Sequence, residues 1–320
     1  MNRLVIFVLS IMFWQLSEAG PTNSITMDKI VGGHLGTWSI GDGSQTWTSI
    51  HCVGSAKTKN ANPGDLPYQM KVTDQDTPPG YYLYLDDIDT NICSARIQVS
   101  FGHRDIMEGT ALETLSDDAY DSHAHNDQPN GCKQGKNSEL QMTIPDSELS
   151  KARAGRFYGS YRATAIGGDT GTWTKEKAFS FTIDVSQSVR VSALDNIALG
   201  TWAGTGNVIG TESFCIYSNN SSAAYNISIS SPQQDAGGLF RIANAGQTQF
   251  IGYDLTFADS VGGPGTAVTG NSISGNGNNS APMCAGDVNA ELAVNLPEGN
   301  LQPAQSDSYS DTITLLIAPE

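Results

Sequence analysis

The chain has 320 residues, with 17 Lys or Arg against 33 Asp or Glu, and a formal net charge of −16. This acidic balance argues against nucleic acid and anionic membrane surfaces as electrostatic partners. Gly, Ser, Thr and Asn are abundant and helical periodicity is scarce, which is typical of an all-β protein.

The first element is an apolar N-terminal segment. Arg3 precedes an apolar run over residues 4–14, and Ser17 and Ala19 stand three residues and one residue before a cleavage point at Gly20. The run is too short to span a bilayer, and the small residues are typical of a secretory signal peptide. We expect residues 1–19 to be removed and the remainder to be exported as a soluble protein.

A first block of strands follows, and alternation of apolar and polar residues predicts its members. The predicted strands are 81–85, 95–101, 140–144, 157–165 and 179–185. Residues 144–155 indicate a short helical turn, for which Asp146 is the candidate N-cap. We assign residues 20–185 to one domain.

A second block begins after a short polar break at residues 186–188, which we interpret as a linker. Its predicted strands are 189–191, 212–217, 225–229, 250–257, 291–296 and 312–317. Residues 260–280 are rich in Gly, Asn and Ser and are predicted to be a loop. Short strands at this spacing indicate two immunoglobulin-like β-sandwiches in tandem, the second over residues 189–320.

The terminal strand poses a physical question. Ile313, Leu315 and Ile317 alternate with Thr312, Thr314 and Leu316, and three residues follow. Apolar side chains on both faces predict a strand paired deep in a sheet. An open apolar edge invites aggregation, so we expect another segment to cover it.

Five cysteines follow the signal peptide, and an odd number allows at most two intramolecular bridges. Spacing within each block favours Cys93–Cys132 and Cys215–Cys284, which leaves Cys52 unpaired.

Three segments look like those of a chymotrypsin-type protease: residues 29–33, residues 50–52 around His51, and residues 167–171. The mechanism needs a serine nucleophile, but position 170 is Thr. The first two segments also lie too close together to enclose the strands of a barrel. We therefore interpret His51 as an ordinary strand residue.

The densest polar cluster spans residues 117–127 and contains His123 and His125. On an extended segment both imidazoles share a face, and nearby carboxylates are suited to complete a zinc or copper site. No further ligand spacing supports this, so a solvated loop within the expected Cys93–Cys132 bridge is favoured, with no metal or other cofactor.

Several motifs, in their shared order, resemble the CblD/CfaE-like tip adhesins, which are minor pilins of class 5 (alpha) chaperone–usher fimbriae. In the second block these motifs are Phe214-Cys215-Ile216-Tyr217, Met283-Cys284, Ala290-Glu291-Leu292-Ala293-Val294 and the segment 309–315. In the first block they are Asn91-Ile92-Cys93, Gly131-Cys132 and the segment 143–151. The resemblance covers nearly all of the mature chain.

The resemblance implies a receptor-binding sandwich followed by a pilin sandwich that lacks its last strand. The next pilin subunit supplies that strand by β-augmentation, in a groove marked here by Thr312, Ile313, Leu315 and Ile317. The implied partners are a periplasmic chaperone, an outer-membrane usher, the major pilin and a host glycoconjugate. The implied location is the tip of a fimbrium, reached through the periplasm.

Receptor specificity does not transfer from the family, because the arginine pair used by a relative is missing from residues 165–169. The early close-spaced cysteine pair of close relatives is also missing. A neutral glycan suits an aromatic platform, for which Trp173 with Asp169 and Arg162 are candidates, followed by Trp38 and Trp47. Core packing is the alternative role for each Trp.

Two other functions remain open on the sequence. A secreted carbohydrate-binding or spore-coat-U-like surface protein, not assembled into pili, would need a second sandwich that completes itself. A metal-dependent or proteolytic enzyme would depend on His51, His123 and His125.

Overall fold

The computed structural model describes residues 24–56, 67–76, 79–85, 96–122, 124–126, 132, 135–167, 173–270 and 272–320. Within these ranges the chain is almost entirely β, as the sequence predicts. Among the residues described, no helix is both long and apolar enough to cross a membrane.

The elements of the first block are β1 (Ser24–Met27), β2 (Gly33–Trp38), β3 (Gln45–His51), β4 (Val53–Ala56), β5 (Pro67–Asp74), β6 (Tyr82–Leu85), β7 (Arg96–Gln98), β8 (Ser100–Asp105), β9 (Glu113–Leu115), β10 (His125–Asn126), β11 (Ser138–Ile144), α1 (Asp146–Leu149), β12 (Gly155–Gly167) and β13 (Trp173–Val185). Those of the second are β14 (Val189–Ser192), β15 (Val208–Ser218), β16 (Ala224–Ser230), β17 (Phe240–Asn244), β18 (Phe250–Ala258), β19 (Thr266–Ala267), β20 (Ile273–Asn276), a 3-10 turn (Pro282–Gly286), β21 (Ala290–Leu296), α2 (Glu298–Leu301), β22 (Tyr309–Ser310) and β23 (Thr314–Pro319).

The first sandwich is built around the long antiparallel hairpin of β12 and β13. One sheet has the order β10-β5-β12-β13-β2, with β6 and β7 added beside β12, and the facing sheet has the order β3-β11-β8-β9. Aromatic side chains fill the space between the sheets, with Phe101 and Tyr161 packed at 4.8 Å between ring centroids. Burying each such side chain contributes about 1.5–3 kcal/mol.

The second sandwich has a large sheet and a small one. The large sheet has the order β14-β15-β21-β18-β17-β22, and the small sheet is β20-β16-β23. Its core includes Phe214, Tyr225, Phe257 and Leu292. Strand β23 lies at the edge of the small sheet, so the prediction that the terminal strand lies deep within a sheet is wrong.

Three local predictions need correction. The terminal strand begins at Thr314, not Thr312, because the chain leaves β22 for the other sheet at residues 311–313. Residues 260–280 contain β19 and β20, which pair with β18 and β16 despite their Gly-rich sequence. The N-cap of α1 is Pro145, and Asp146 occupies the first helical position, with its N–H donating to Ser44 Oγ.

The disulfides are Cys52–Cys132 and Cys215–Cys284, with Cα–Cα distances of 5.5 and 5.9 Å. The second was predicted, but Cys93–Cys132 is wrong, and Cys93 itself lies outside the described residues. The physical reason is strand pairing. His51 pairs with Ser138, and the Asn137 side chain bonds both Val53 N–H and Val53 C=O, which holds the segment before β11 beside Cys52.

The core of the first sandwich ends at Val185, and Val189 is the first residue packed against the second core. The domain boundary near Ser186 stays a prediction. Asn219 joins the two blocks, because its Nδ2 donates to Ser186 O and its backbone O accepts from Ala154 N–H.

Candidate functional site: a groove beside the terminal strand

A groove of about 760 Å³ opens onto the core of the second sandwich. Four buried core residues line it, namely Ile242, Tyr253, Leu292 and Val294, which come from β17, β18 and β21. The groove therefore leads into the hydrophobic interior and is not an ordinary depression in a polar surface.

One wall of the groove runs from Tyr309 to Leu315 and continues into the edge strand β23. β23 pairs along one edge with β16, and no described strand pairs with its opposite edge. Leu315 and Ile317 pack against the second core, whereas Leu316 is 70% exposed on the other face. An edge of this kind offers unpaired main-chain groups to an incoming strand.

Asp311 fixes the point where the chain crosses between sheets. Tyr253 Oη donates to Asp311 Oδ2 at 2.6 Å, and Ser231 Oγ donates to Oδ1 at 2.6 Å. Burial, reinforced by this carboxylate, raises the pKa of Tyr253, so the phenol stays protonated and remains a donor. The crossing is thus tied to both sheets.

The opposite wall is the segment 194–200. Ile197 and Leu199 pack against the second core. Between residues 193 and 207, however, the described chain makes no backbone–backbone hydrogen bond. This wall covers the core with side chains while its main chain has no β partner.

The structure brings most of the predicted groove residues together. Thr312, Ile313 and Leu315 line the groove directly. Ile317 contacts the same core further along β23. Sequence reasoning missed the four core residues that line the groove, because they come from separate strands. It also missed the 194–200 wall, because that segment has no alternation of apolar and polar residues.

Trp38 and Trp47, the secondary receptor-site candidates, pack in or against the first core. Trp38 is only 2% exposed and its Nε1–H donates to Gly43 O, so it is a core residue. Trp47 is half-buried and packs edge-on against Phe181 at 4.6 Å. Both Trp38 and Trp47 therefore have the alternative role of core packing.

Trp173 and Arg162 lie on the β12–β13 hairpin but are separated. Arg162 pairs with Ala178, which is five residues from Trp173 along β13. Five residues of a strand span roughly 17 Å. Arg162 pairs with Glu176 at 3.2 Å, and Trp173 packs against the first core. Asp169 lies outside the described residues.

A buried polar network occupies the first sandwich. His103 Nδ1 lies 2.6 Å from Asp121 Oδ2, and His103 Nε2 lies 2.8 Å from Ser138 Oγ. Ser138 Oγ also lies 3.0 Å from His51 Nε2. The Asp–His–Ser order is that of a hydrolase triad, but Ser138 is fully buried, so no substrate reaches its hydroxyl.

His125 joins this network through Asp121. Its Nε2 lies 3.0 Å from Asp121 Oδ2. Burial alone would raise the pKa of Asp121, but hydrogen bonds with His103 and His125 hold it below its usual value. His125 is buried, contrary to the expectation of a solvated loop, and His123 lies outside the described residues. Asp121 belongs to the polar cluster that the sequence indicates at residues 117–127, whereas His103 and Ser138 gave no sequence signal, because they lie far from that cluster in the chain.

Comparisons with known proteins give structural likeness alone. No family model matches the chain, and no curated protein matches it. The chain is similar to solved tip adhesins of chaperone–usher pili.

One similar chain belongs to the CsuC–CsuE chaperone–tip adhesion subunit pre-assembly complex from archaic chaperone-usher Csu pili of Acinetobacter baumannii. It is 12% identical over 91% of this chain and 99% of that chain, with a TM-score of 0.49. A chain of a chaperone–tip adhesin complex of CFA/I fimbriae is 13% identical over 92% and 97%, with a TM-score of 0.38. The CupB6 tip adhesin from Pseudomonas aeruginosa is 9% identical over 93% and 95%, with a TM-score of 0.36.

Proposed function

We propose that this protein is a fimbrial tip adhesin that also starts pilus assembly. The observation that carries the proposal is the groove, which opens the second core beside an unpaired strand edge. Its two walls, residues 194–200 and 309–315, would accept an extended segment of about seven residues, or roughly 23 Å of strand. The second sandwich thus accepts a donor strand from the next pilin subunit.

β-augmentation supplies both affinity and specificity at such a groove. Main-chain hydrogen bonds form along β23, and alternate apolar side chains enter toward Leu292 and Val294. Each buried apolar side chain of the donor contributes about 1.5–3 kcal/mol. In this proposal a periplasmic chaperone covers the groove first, the usher receives the complex, and the major pilin replaces the chaperone strand.

In the same proposal the first sandwich carries adhesion, with a host glycoconjugate as the receptor class. The protein reaches the fimbrial tip through the periplasm. The alternative, a secreted carbohydrate-binding or spore-coat-U-like protein, requires a self-completed second sandwich. The open groove favours the pilus role over it.

The test is strand capture. The mature protein is titrated with a peptide carrying the N-terminal sequence of the major pilin of the same fimbria, and binding is followed by calorimetry. We expect one peptide per chain. The control peptide has its apolar residues shifted by one position, which sends them to the other face. Equal binding of the two peptides, or no binding, would contradict the proposal.

A matched pair of variants places the peptide in the groove. Leu315→Glu puts a charge on the side of β23 that packs against the core, whereas Leu316→Glu changes its exposed neighbour. We expect Leu315→Glu to weaken peptide binding at least tenfold, about 1.4 kcal/mol, and Leu316→Glu to leave it unchanged. Circular dichroism verifies that both variants are folded.

A further inference from the structure

His125 on β10 has one ring nitrogen with a hydrogen bond and one that makes no hydrogen bond to the described residues. The residue is only 2% exposed, and its Nε2 is bonded to Asp121. Its Nδ1 makes no hydrogen bond with any described residue. A buried polar atom in this state is costly, since it has lost its water without gaining a partner.

Two carboxylates lie near His125, and one of them is close to Nδ1. Glu108 Oε2 lies 3.6 Å from His125 Nδ1. The ligand atoms of His125, Asp105 and Glu108 all lie within 4.8 Å of one another. Two ligands of a tetrahedral ion at about 2.0–2.2 Å from the metal lie roughly 3.4 Å apart, so the 3.6 Å between Glu108 Oε2 and His125 Nδ1 is close to that of a filled site.

The surrounding contacts hold two of these groups in position. Asp105 Oδ1 accepts the N–H groups of Met107 and Glu108 at 2.8 and 3.0 Å. From the described residues, longer contacts reach Asp105 Oδ2, namely Tyr68 Oη at 3.2 Å and Asn137 Nδ2 at 3.4 Å. Asp121 orients the imidazole of His125 in the way that outer carboxylates orient metal-binding histidines.

We propose that His125 Nδ1, Glu108 and Asp105 form a site for a divalent first-row transition metal ion, with Zn²⁺ as the reference ion. One imidazole nitrogen and two carboxylate oxygens suit Zn²⁺. The Glu108 side chain is 25% exposed, which gives the ion a path from solvent and leaves room for water in a remaining position. The ion fastens the turn after β8 to β10.

The sequence pointed to part of this site through His125 but not to its partners. Asp105 and Glu108 lie in and just after β8, outside the polar cluster that contains His123 and His125. The pairing of β10 with β5, which sets His125 opposite Tyr68, brings them together. The alternative is that a proton occupies His125 Nδ1. The protonated imidazole would then form an ion pair with Glu108, and the site would bind no metal.

The experiment is calorimetric titration of chelator-treated, dialysed mature protein with ZnCl₂ at neutral pH. We expect one ion per chain, with a dissociation constant of about 1 µM or tighter. Glu108→Gln removes one ligand on a partly exposed side chain and is expected to weaken binding at least tenfold. The matched control is Glu148→Gln, whose side chain is 28% exposed and lies on α1, and it should bind Zn²⁺ like the unaltered protein.

Two further measurements keep the proposal falsifiable. Co²⁺ replacing Zn²⁺ should give visible absorption bands that Glu108→Gln loses, and His34→Gln, on an exposed histidine, should retain them. If Zn²⁺ does not bind at one ion per chain, the proposed metal site is wrong and the result favours a proton at His125 Nδ1. Binding that survives Glu108→Gln but is lost in His34→Gln would assign the ion to the surface instead.

Discussion

At the scale of single residues, burial decides what the histidines do. His51 is 1% exposed and is placed between Ser138 Oγ and the Ser49 carbonyl. Burial, together with nearby His103 and Lys136, lowers its pKa to about 4. The sequence identified His51 as a strand residue, but its burial depends on β11 packing beside β3, a long-range pairing that no local pattern records.

This lowered pKa makes the stability of the first sandwich depend on pH. Unfolded His51 gains a proton near pH 6.5, whereas the folded residue resists it down to about pH 4. The contribution of His51 to the free energy of unfolding is therefore complete above pH 6.5. It is lost as the pH falls toward 4, and the loss reaches about 3 kcal/mol. Urea unfolding with chelator at pH 7.5, 5.5 and 4.5 measures it. The free-energy difference between the unaltered protein and His51→Gln should change across this range, and a constant difference would refute the prediction.

At the scale of elements, alternation predicted where many strands lie but not how they pair. The segment 312–317 has a strand-like apolar pattern throughout, yet Asp311 bonds to Tyr253 and Ser231 and diverts the chain between sheets. Cysteine parity predicted one unpaired residue. Identifying it required the pairing of β3 with β11, which sets Cys52 beside Cys132.

The cysteine assignment gives a direct prediction. Two bridges use four of the five cysteines, which leaves Cys93 without a cysteine partner in the same chain. Mass spectrometry of unreduced tryptic peptides should find Cys52 linked to Cys132, and alkylation under denaturing conditions should label one thiol per monomer, at Cys93. A Cys93–Cys132 peptide would show the assignment to be wrong.

At the scale of the whole molecule, two sandwiches with separate cores were predictable from composition and strand spacing. The contact between them was not, because it includes bonds from Asn219 to residues far from it in the sequence. Asn219 Oδ1 accepts from Ser188 N–H at 2.8 Å, and Nδ2 donates to Ser186 O at 3.0 Å. Among the described residues, the side chain of its neighbour Asn220 bonds within the second block, where Nδ2 donates to Ala224 O and Glu320 O.

Replacing Asn219 with Ala should loosen the junction. Loss of its side-chain bonds costs about 1–3 kcal/mol, so limited proteolysis near residues 186–192 should accelerate. Asn220→Ala is the matched control and should leave this cleavage rate unchanged. Equal rates in both variants would mean that Asn219 does not hold the junction.

The central claim is that the groove of the second sandwich takes a strand from another subunit. Its most direct test is the unfolding midpoint of the second sandwich, with and without the major pilin's N-terminal segment fused after Glu320 by a flexible linker. We predict that the fusion raises the midpoint clearly and protects residues 314–319 from hydrogen exchange, and that Leu315→Glu removes much of the gain. An unfused protein that is equally stable and equally protected would contradict the claim.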